Sequence, residues 1–342
     1  MFSIQSGNLG LDLLVNIFIF IIGTAVLVKG SDLFIDSAAN IARCWGVSEL
    51  VIGLTLVSIG TSLPELVSSI YASIRGEGSF IIGNIVGSNI TNISLILAIG
   101  IIGMGKMPFG KRVLTRDAAA MIIVTNVCIL LFSLPLPSPS KGGTEHGINF
   151  TGGIILLILC ILYMTILFRE SCSRQNNEQE KREECAGRHI LLELVLLAIS
   201  GAMVILGSKG MVDPVIWGAQ HLDVSMLVIS STIVAFGTSV PELAVTLAGI
   251  IKKRHDIALG NILGSNIFNI LLIFGISGCI SPLPMDGQLI GIVNLALMEV
   301  SAVALILFMT IGKDHLNRRH GVLLLFLYGL FMAGNCISAL MR

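Results

Sequence analysis

Residues 53–98 read GLTLVSIGTSLPELVSSIYASIRGEGSFIIGNIVGSNITNISLILA, and residues 230–275 read SSTIVAFGTSVPELAVTLAGIIKKRHDIALGNILGSNIFNILLIFG. The two stretches align without a gap at an offset of 177, and 20 of the 46 positions are identical. Gly30, Ser31 and Asp36 match Gly207, Ser208 and Asp213 at the same offset. Self-similarity at a fixed spacing marks a duplicated structural unit. Each copy holds two apolar stretches joined by a short polar turn, and each carries a Glu inside the first of them.

The surrounding composition says what kind of unit this is. Of 342 residues, 54% are hydrophobic and only 12% are charged. Soluble domains carry roughly 25% charged residues, so an ordinary soluble enzyme is excluded, and the apolar content excludes disorder. The 21 basic and 21 acidic residues cancel, which leaves no basic face for nucleic acid. Seven Cys occur without a CxxC pair, so neither a zinc site nor a disulfide framework is expected. What remains is an integral membrane protein whose partner is the lipid bilayer.

A membrane helix needs about 20 apolar residues. Apolar runs fall at about 11–29, 48–74, 79–103, 114–135, 150–168, 189–209, 222–250, 256–281, 287–312 and 320–341. The expected fold is therefore all-α and polytopic, with ten transmembrane helices, because barrel strands would be about ten residues of alternating pattern. Residues 1–11 carry no Lys or Arg, unlike the basic start of a secretory signal, so the first span is expected to stay. The polar stretch 169–188 holds too little apolar residue to build a core and is expected to be a linker loop between halves 1–168 and 189–342.

Basic residues favour the cytoplasmic side of short loops. With ten spans and the N-terminus outside, 17 Lys and Arg fall inside and four outside. Both termini are then external and the 169–188 loop is cytoplasmic. Five spans separate equivalent points of the repeat. Five is odd, so the second copy enters the membrane from the opposite side. Two inverted five-helix repeats follow, an architecture that in secondary transporters places the site at mid-membrane where the halves meet.

Each copy contains G-T-S-x-P-E, at Gly60–Glu65 and Gly237–Glu242. A carboxylate at membrane depth is costly and marks a functional candidate. Thr61 and Glu65 are four apart and share a helix face, as do Thr238 and Glu242. Pro64 and Pro241 lack an N–H and clash with the carbonyl four residues back. The helix should open there and free carbonyls around Ser58–Gly60 and Ala235–Gly237. In lipid such groups need partners, and a bound cation is one. The next span of each copy places Ser88 with Asn92, and Ser265 with Asn269, on one face. Carboxylate, hydroxyl, amide and carbonyl oxygens form a hard-oxygen site suited to Ca²⁺ or Na⁺. Glu193 and Glu299 are not repeated; Glu193 lies near the inner surface, and Glu299 lies deeper, where it either relays protons or has a local partner. Asp32, Asp36 and Asp213 are expected at interfaces.

These paired motifs resemble the α-1 and α-2 repeats of the calcium/cation antiporter superfamily, and the chain is most similar to its prokaryotic sodium/calcium exchangers, including bacterial inner-membrane homologues. The resemblance covers nearly all 342 residues. It implies a plasma-membrane (inner-membrane) antiporter, not an enzyme, that exchanges Ca²⁺ for Na⁺ by alternating access, with H⁺ or K⁺ as other coupling ions. It implies no cofactor and no obligate protein partner, a monomer being sufficient. Carried over by position, the ion ligands are Thr61, Ser62, Glu65, Ser88 and Asn92, with Thr238, Ser239, Glu242, Ser265 and Asn269, joined by the backbone carbonyls of Ser58 and Ala235. Some archaeal and potassium-dependent members carry Asp where this chain has Asn269, so here two carboxylates face the site. A Ca²⁺/H⁺ antiporter on the same fold is the alternative. A passive cation channel would lack countertransport, and an intramembrane enzyme would need an activated nucleophile or metal-activated water, yet no His lies near the motifs except His255 in a turn.

The charge bias generates a topology test. Cys172 and Cys185 lie in the 169–188 stretch, on the side that receives 17 of the 21 Lys and Arg, so a membrane-impermeant thiol reagent applied to intact cells should leave both unlabelled. Rapid external labelling of either reverses the orientation.

Overall fold

The computed structural model describes residues 9–44, 58–110, 113–136, 145–174, 187–221, 224–251, 255–285 and 289–341. The helices are α1 (Leu9–Cys44), α2 (Ser58–Thr61), α3 (Leu63–Ile74), α4 (Gly78–Met104), α5 (Val113–Phe132), α6 (Phe150–Arg174), α7 (Gly187–His221), α8 (Met226–Thr238), α9 (Val240–Ile251), α10 (His255–Phe268, continuing to Ile280), α11 (Leu289–Gly312) and α12 (Arg318–Leu340). Among the described residues eight helices are long and apolar enough to cross a bilayer, and the α8–α9 pair, bent by 43°, makes a ninth. The expected span 48–74 begins outside the described residues; α2 and α3 are its described part.

Two helices outrun their expected spans. The apolar run 11–29 belongs to a helix of 36 residues, and the run 189–209 to one of 35. At 1.5 Å per residue each is about 50 Å long, more than the roughly 30 Å hydrocarbon layer. Nothing breaks them at the point where hydropathy falls: residues 30–44 contain no Pro, and Pro214 is accommodated inside α7. Helices α1 and α7 pack along each other through small residues. A Cβ at Gly23 would overlap the backbone of Gly210, and one at Gly207 would lie 2.7 Å from Leu27 Cα. The stretch 169–188 is shorter as a linker than expected, because residues 169–174 are the last turns of α6 and α7 starts at Gly187. Cys172 sits in those turns, and Cys185 lies outside the described residues.

Helices α4 and α10 form the centre. In each, 83% of the most apolar window is buried, against 17–22% for α1, α7 and α12. The outer helices turn Leu14, Phe18, Ile161 and Phe326 outward, each more than half exposed, as a lipid-facing shell requires. Close approach to the central pair depends on glycine: a Cβ at Gly87 would overlap the Ser231 carbonyl in α8. The repeat is visible in the elements. The bounds of α3, shifted by 177, are those of α9, and the wide π turn Asn92–Leu97 in α4 maps onto Asn269–Phe274 in α10.

Short strands, unforeseen in the sequence, tie connectors together. β1 (Lys106–Pro108) pairs antiparallel with β5 (His315–Asn317), and β3 (Glu145–Ile148) pairs with both β2 (Pro135–Leu136) and β4 (Leu283–Met285). The pairing satisfies backbone groups where the chain leaves a helix. It also requires paired connectors to lie on the same side of the helical layer.

The Gly87 contact predicts a packing cost. Gly87→Ala should destabilise the purified protein by about 1–3 kcal/mol, as overpacking does, because backbone must move to admit the methyl group. Gly103→Ala, where nothing lies within 4 Å of the added carbon, should leave thermal stability unchanged or slightly raised. Equal melting temperatures for the two variants would contradict the close approach of α4 and α8.

Candidate cation site

The site is assembled at two helix breaks. Pro64 and Pro241 fall at the second position of α3 and α9, where a missing N–H costs nothing. The preceding residues leave helical geometry in the same way, Ser62 at φ −86° and ψ 9°, Ser239 at φ −81° and ψ 7°. Each break starts a new helix with its Glu in the first turn, where the positive end of the helix dipole favours a carboxylate. Glu65 and Glu242 are both fully buried.

Hydroxyls from each half reach the acceptors of the other. Ser62 donates to Glu242 Oε1 at 3.3 Å, and Ser239 donates to Glu65 Oε1 at 3.5 Å. Thr61 donates to Asn261 Oδ1 at 3.3 Å, and Thr238 donates to Asn84 Oδ1 at 3.2 Å. Ser88 also donates to Glu65 Oε1 at 3.5 Å, and Ser265 lies 3.1 Å from the Thr61 hydroxyl. The Ser62–Glu242 and Thr61–Asn261 bonds thus have counterparts 177 positions away in Ser239–Glu65 and Thr238–Asn84. This reciprocity is the signature of two-fold packing.

All ten side chains singled out in the motifs are brought together and are almost wholly buried. Four of their oxygens, Glu65 Oε2, Glu242 Oε2, Asn92 Oδ1 and Asn269 Oδ1, have no hydrogen-bond partner among the described residues. A buried polar atom without a partner costs about 1–3 kcal/mol, and more when charged. Carboxylate and amide oxygens are the donor types that hard cations take. The Ala235 carbonyl, expected to be freed by the break, keeps its helical bond from Ser239 N at 3.1 Å and accepts Ser88 and Thr238 at 3.4 Å. Its bond survives because the Pro241 ring removes the donor to Gly237, not the donor to Ala235. Of Ser58 only the backbone placement at the start of α2 is described.

Other acidic residues have separate lives. Glu299 accepts from Asn126 at 3.0 Å, the local partner that was one of its two expected fates. Glu193 accepts from Asn40 at 2.8 Å. Asp213, expected at an interface, is 1% exposed and accepts from Tyr71 at 3.0 Å, whereas its equivalent Asp36 is exposed. The reason is sequence asymmetry: the second half has Ala248 in place of Tyr71. Four amides outside the expected ligand set support it. Asn84 and Asn261 hold the Thr hydroxyls, and Asn89 and Asn266 contact each other's helix. All four are identical across the repeat; periodicity puts Asn84 and Asn261 one turn further along the ligand faces, and Asn89 and Asn266 beside those faces.

Broken spanning helices around a buried, symmetric, acidic centre define the class of secondary transporters. The chain matches the family model described as sodium/calcium exchanger protein over residues 15–169 and 192–336, and belongs to that family. It is similar to the sodium/calcium exchanger MaX1 of Methanosarcina acetivorans, with 33% identity over 93% of this chain and 97% of that one. The inner membrane protein YrbG of Escherichia coli is 32% identical over 78% of this chain and 81% of its own length. Among solved structures, the sodium-calcium exchanger NCX_Mj soaked with 10 mM Na⁺ and zero Ca²⁺ superposes with a TM-score of 0.63 and 31% identity, covering 94% of this chain and 99% of that one.

The supporting amides generate a matched test. Asn84→Leu removes the Thr238 acceptor and the donor to the Ser68 and Ser69 hydroxyls; Asn261→Leu removes the Thr61 acceptor and the donor to the Thr246 hydroxyl and the Glu242 carbonyl. Each should cost about 1–3 kcal/mol, the loss for buried groups left unpaired, and thermal melting should give similar losses for the two. A large loss for one and none for the other would break the two-fold correspondence.

Proposed function

We propose that this protein exchanges Ca²⁺ for Na⁺ across a membrane by alternating access, with Glu65 and Glu242 as the charged ligands. The observation that carries this reading is the set of four open oxygens on Glu65, Glu242, Asn92 and Asn269. Around them stand the hydroxyls of Thr61, Ser62, Ser88, Thr238, Ser239 and Ser265, with the Ser58 and Ala235 carbonyls behind. Two carboxylates carry two negative charges. One Ca²⁺ neutralises them, and so do two Na⁺; a third Na⁺ would be balanced by the amide and carbonyl dipoles. The empty, doubly charged centre cannot cross a low-dielectric barrier, because each desolvated ion costs several kcal/mol. An occupied centre can, and this difference couples the two fluxes.

The proposed frame has ten helices in two inverted halves, 1–168 and 189–342, with both termini outside and the intervening loop in the cytoplasm. Three observations support it. Basic residues concentrate in the connectors that this frame puts inside. The β1–β5 pair joins two connectors that it assigns to the inner side, and β2, β3 and β4 join two that it assigns to the outer side. The hydrogen bonds of the centre are reciprocal between copies. One chain supplies the whole ligand set, so a monomer suffices.

The test is Ca²⁺ uptake into proteoliposomes under imposed Na⁺, K⁺ or proton gradients, one at a time. An outward Na⁺ gradient should drive uptake. Glu65→Gln and Glu242→Gln should each reduce it by more than about a hundredfold, because one uncompensated buried charge costs about 3–5 kcal/mol, while protein level stays normal. Uptake driven by pH alone would favour Ca²⁺/H⁺ exchange, and flux without countertransport would make the protein a channel.

A further inference from the structure

The geometry points to Asn89 and Asn266 as positioning residues that decide which end of the Asn92 and Asn269 amides faces the cation, an inference that rests on the ion-site reading above. The argument starts from two backbone carbonyls, which can only accept. Asn89 Nδ2 donates to the carbonyl of Asn266 at 3.3 Å, and Asn266 Nδ2 donates to the carbonyl of Asn89 at 3.2 Å. This mutual clasp between α4 and α10 fixes the amide orientation of both residues, because turning either would bring oxygen against oxygen. The Oδ1 atoms of Asn89 and Asn266 must therefore point the other way, and each requires a donor. Asn269 Nδ2 supplies one to Asn89 Oδ1 at 3.0 Å, and Asn92 Nδ2 supplies the other to Asn266 Oδ1 at 3.0 Å.

With their NH₂ groups committed in this way, Asn92 and Asn269 have one polar atom left, and it is oxygen in both. Those Oδ1 atoms are buried and lack partners among the described residues. An amide can present either a donor or an acceptor, and a cation tolerates only the acceptor. The relay from backbone carbonyl to Asn89 to Asn269, and its mirror through Asn266 to Asn92, removes that ambiguity. All four residues are fully buried or within 1% of it, so water does not compete for these bonds. The relay also crosses between halves, so each half orients a ligand of the other. Both oriented residues begin the π turns Asn92–Leu97 and Asn269–Phe274, and such turns recur at functional sites.

The test is equilibrium Ca²⁺ binding to the detergent-purified full chain, read by titration. Asn89→Leu removes the acceptor that holds Asn269 and frees its amide to turn NH₂ toward the ion. The dissociation constant should rise about 10- to 100-fold, the usual effect of losing an outer partner of a metal ligand. The deciding arm is a second substitution. In an Asn269→Asp background the same Asn89→Leu change should lose this cost. A carboxylate has oxygen at both ends, and it also clashes with the Asn89 oxygen that Leu removes. In an Asn92→Asp background the full cost of Asn89→Leu should persist, because Asn92 answers to Asn266. Asn266→Leu should show the opposite pattern, relieved by Asn92→Asp and not by Asn269→Asp. Should a Leu variant not fold, Asn89→Ala and Asn266→Ala remove the same acceptors and enter the same comparison. Costs that agree within about twofold in every background, as independent effects do, would overturn the positioning role while leaving the ion site intact. A wild-type protein that binds no Ca²⁺ would overturn the ion site and this inference together.

Discussion

The constraint on which the structure depends is the burial of two carboxylates against each other in the middle of an apolar protein. Glu65 and Glu242 have no solvent exposure, and the central helices α4 and α10 beside them are themselves mostly buried. Two like charges so placed are tolerable only with strong compensation. The compensation is built in layers. The helix breaks at Ser62 and Ser239 put each carboxylate in a first helical turn, against the positive end of a dipole. Hydroxyls of Ser62, Ser88 and Ser239 satisfy one oxygen of each. The other oxygen of each has no hydrogen-bond partner among the described residues, and that remaining deficit is the one the proposed cation would fill.

A duplicated unit solves this problem twice with one set of residues. Because Ser62 serves Glu242 and Ser239 serves Glu65, neither half is complete without the other. The halves must therefore meet closely, and the means are backbone-level contacts. Gly87 lets α4 lie against α8, and the Asn89–Asn266 clasp holds α4 to α10. The long α1–α7 pair sits outside this centre on a seam of its own, joined through Gly23 and Gly207. The duplication is incomplete at the edge. Tyr71 bonds the buried Asp213, while Ala248 and the exposed Asp36 occupy the equivalent places. Away from the charged pair, the physical demand for symmetry is weaker and the two copies have diverged.

Much of this was legible in the residues. Apolar runs located the helices, because about 20 apolar residues have few uses other than crossing a membrane. The repeat at offset 177, with a Glu at the same depth in each copy, located the centre, because a buried charge is too costly to occur twice without use. Pro64 and Pro241 marked the breaks, because a missing N–H acts locally and needs no tertiary context. Element ends were less legible. Helices α1 and α7 ran on past their apolar stretches, since helix continuation depends on backbone geometry and the absence of a breaker, whereas hydropathy reports only the part that must sit in lipid. The five short strands left no mark in the sequence, since their pairing is set by which helix ends lie side by side.

The sequence by itself determined which atoms are available: two carboxylates, six hydroxyls and a set of repeated amides, each at a spacing that puts it on a predictable helix face. Only the tertiary structure decided which of those atoms are spent on each other and which are left over. The Ala235 carbonyl looked free and is occupied, and Asn89 and Asn266 looked like bystanders and instead bond each other's helix and the Asn269 and Asn92 amides. The physical reason is that helical periodicity fixes directions within one helix, whereas a hydrogen bond between helices depends on their separation and rotation. Those are set by close packing between residues as distant in sequence as Thr61 and Ser265, 204 positions apart, which no local pattern encodes.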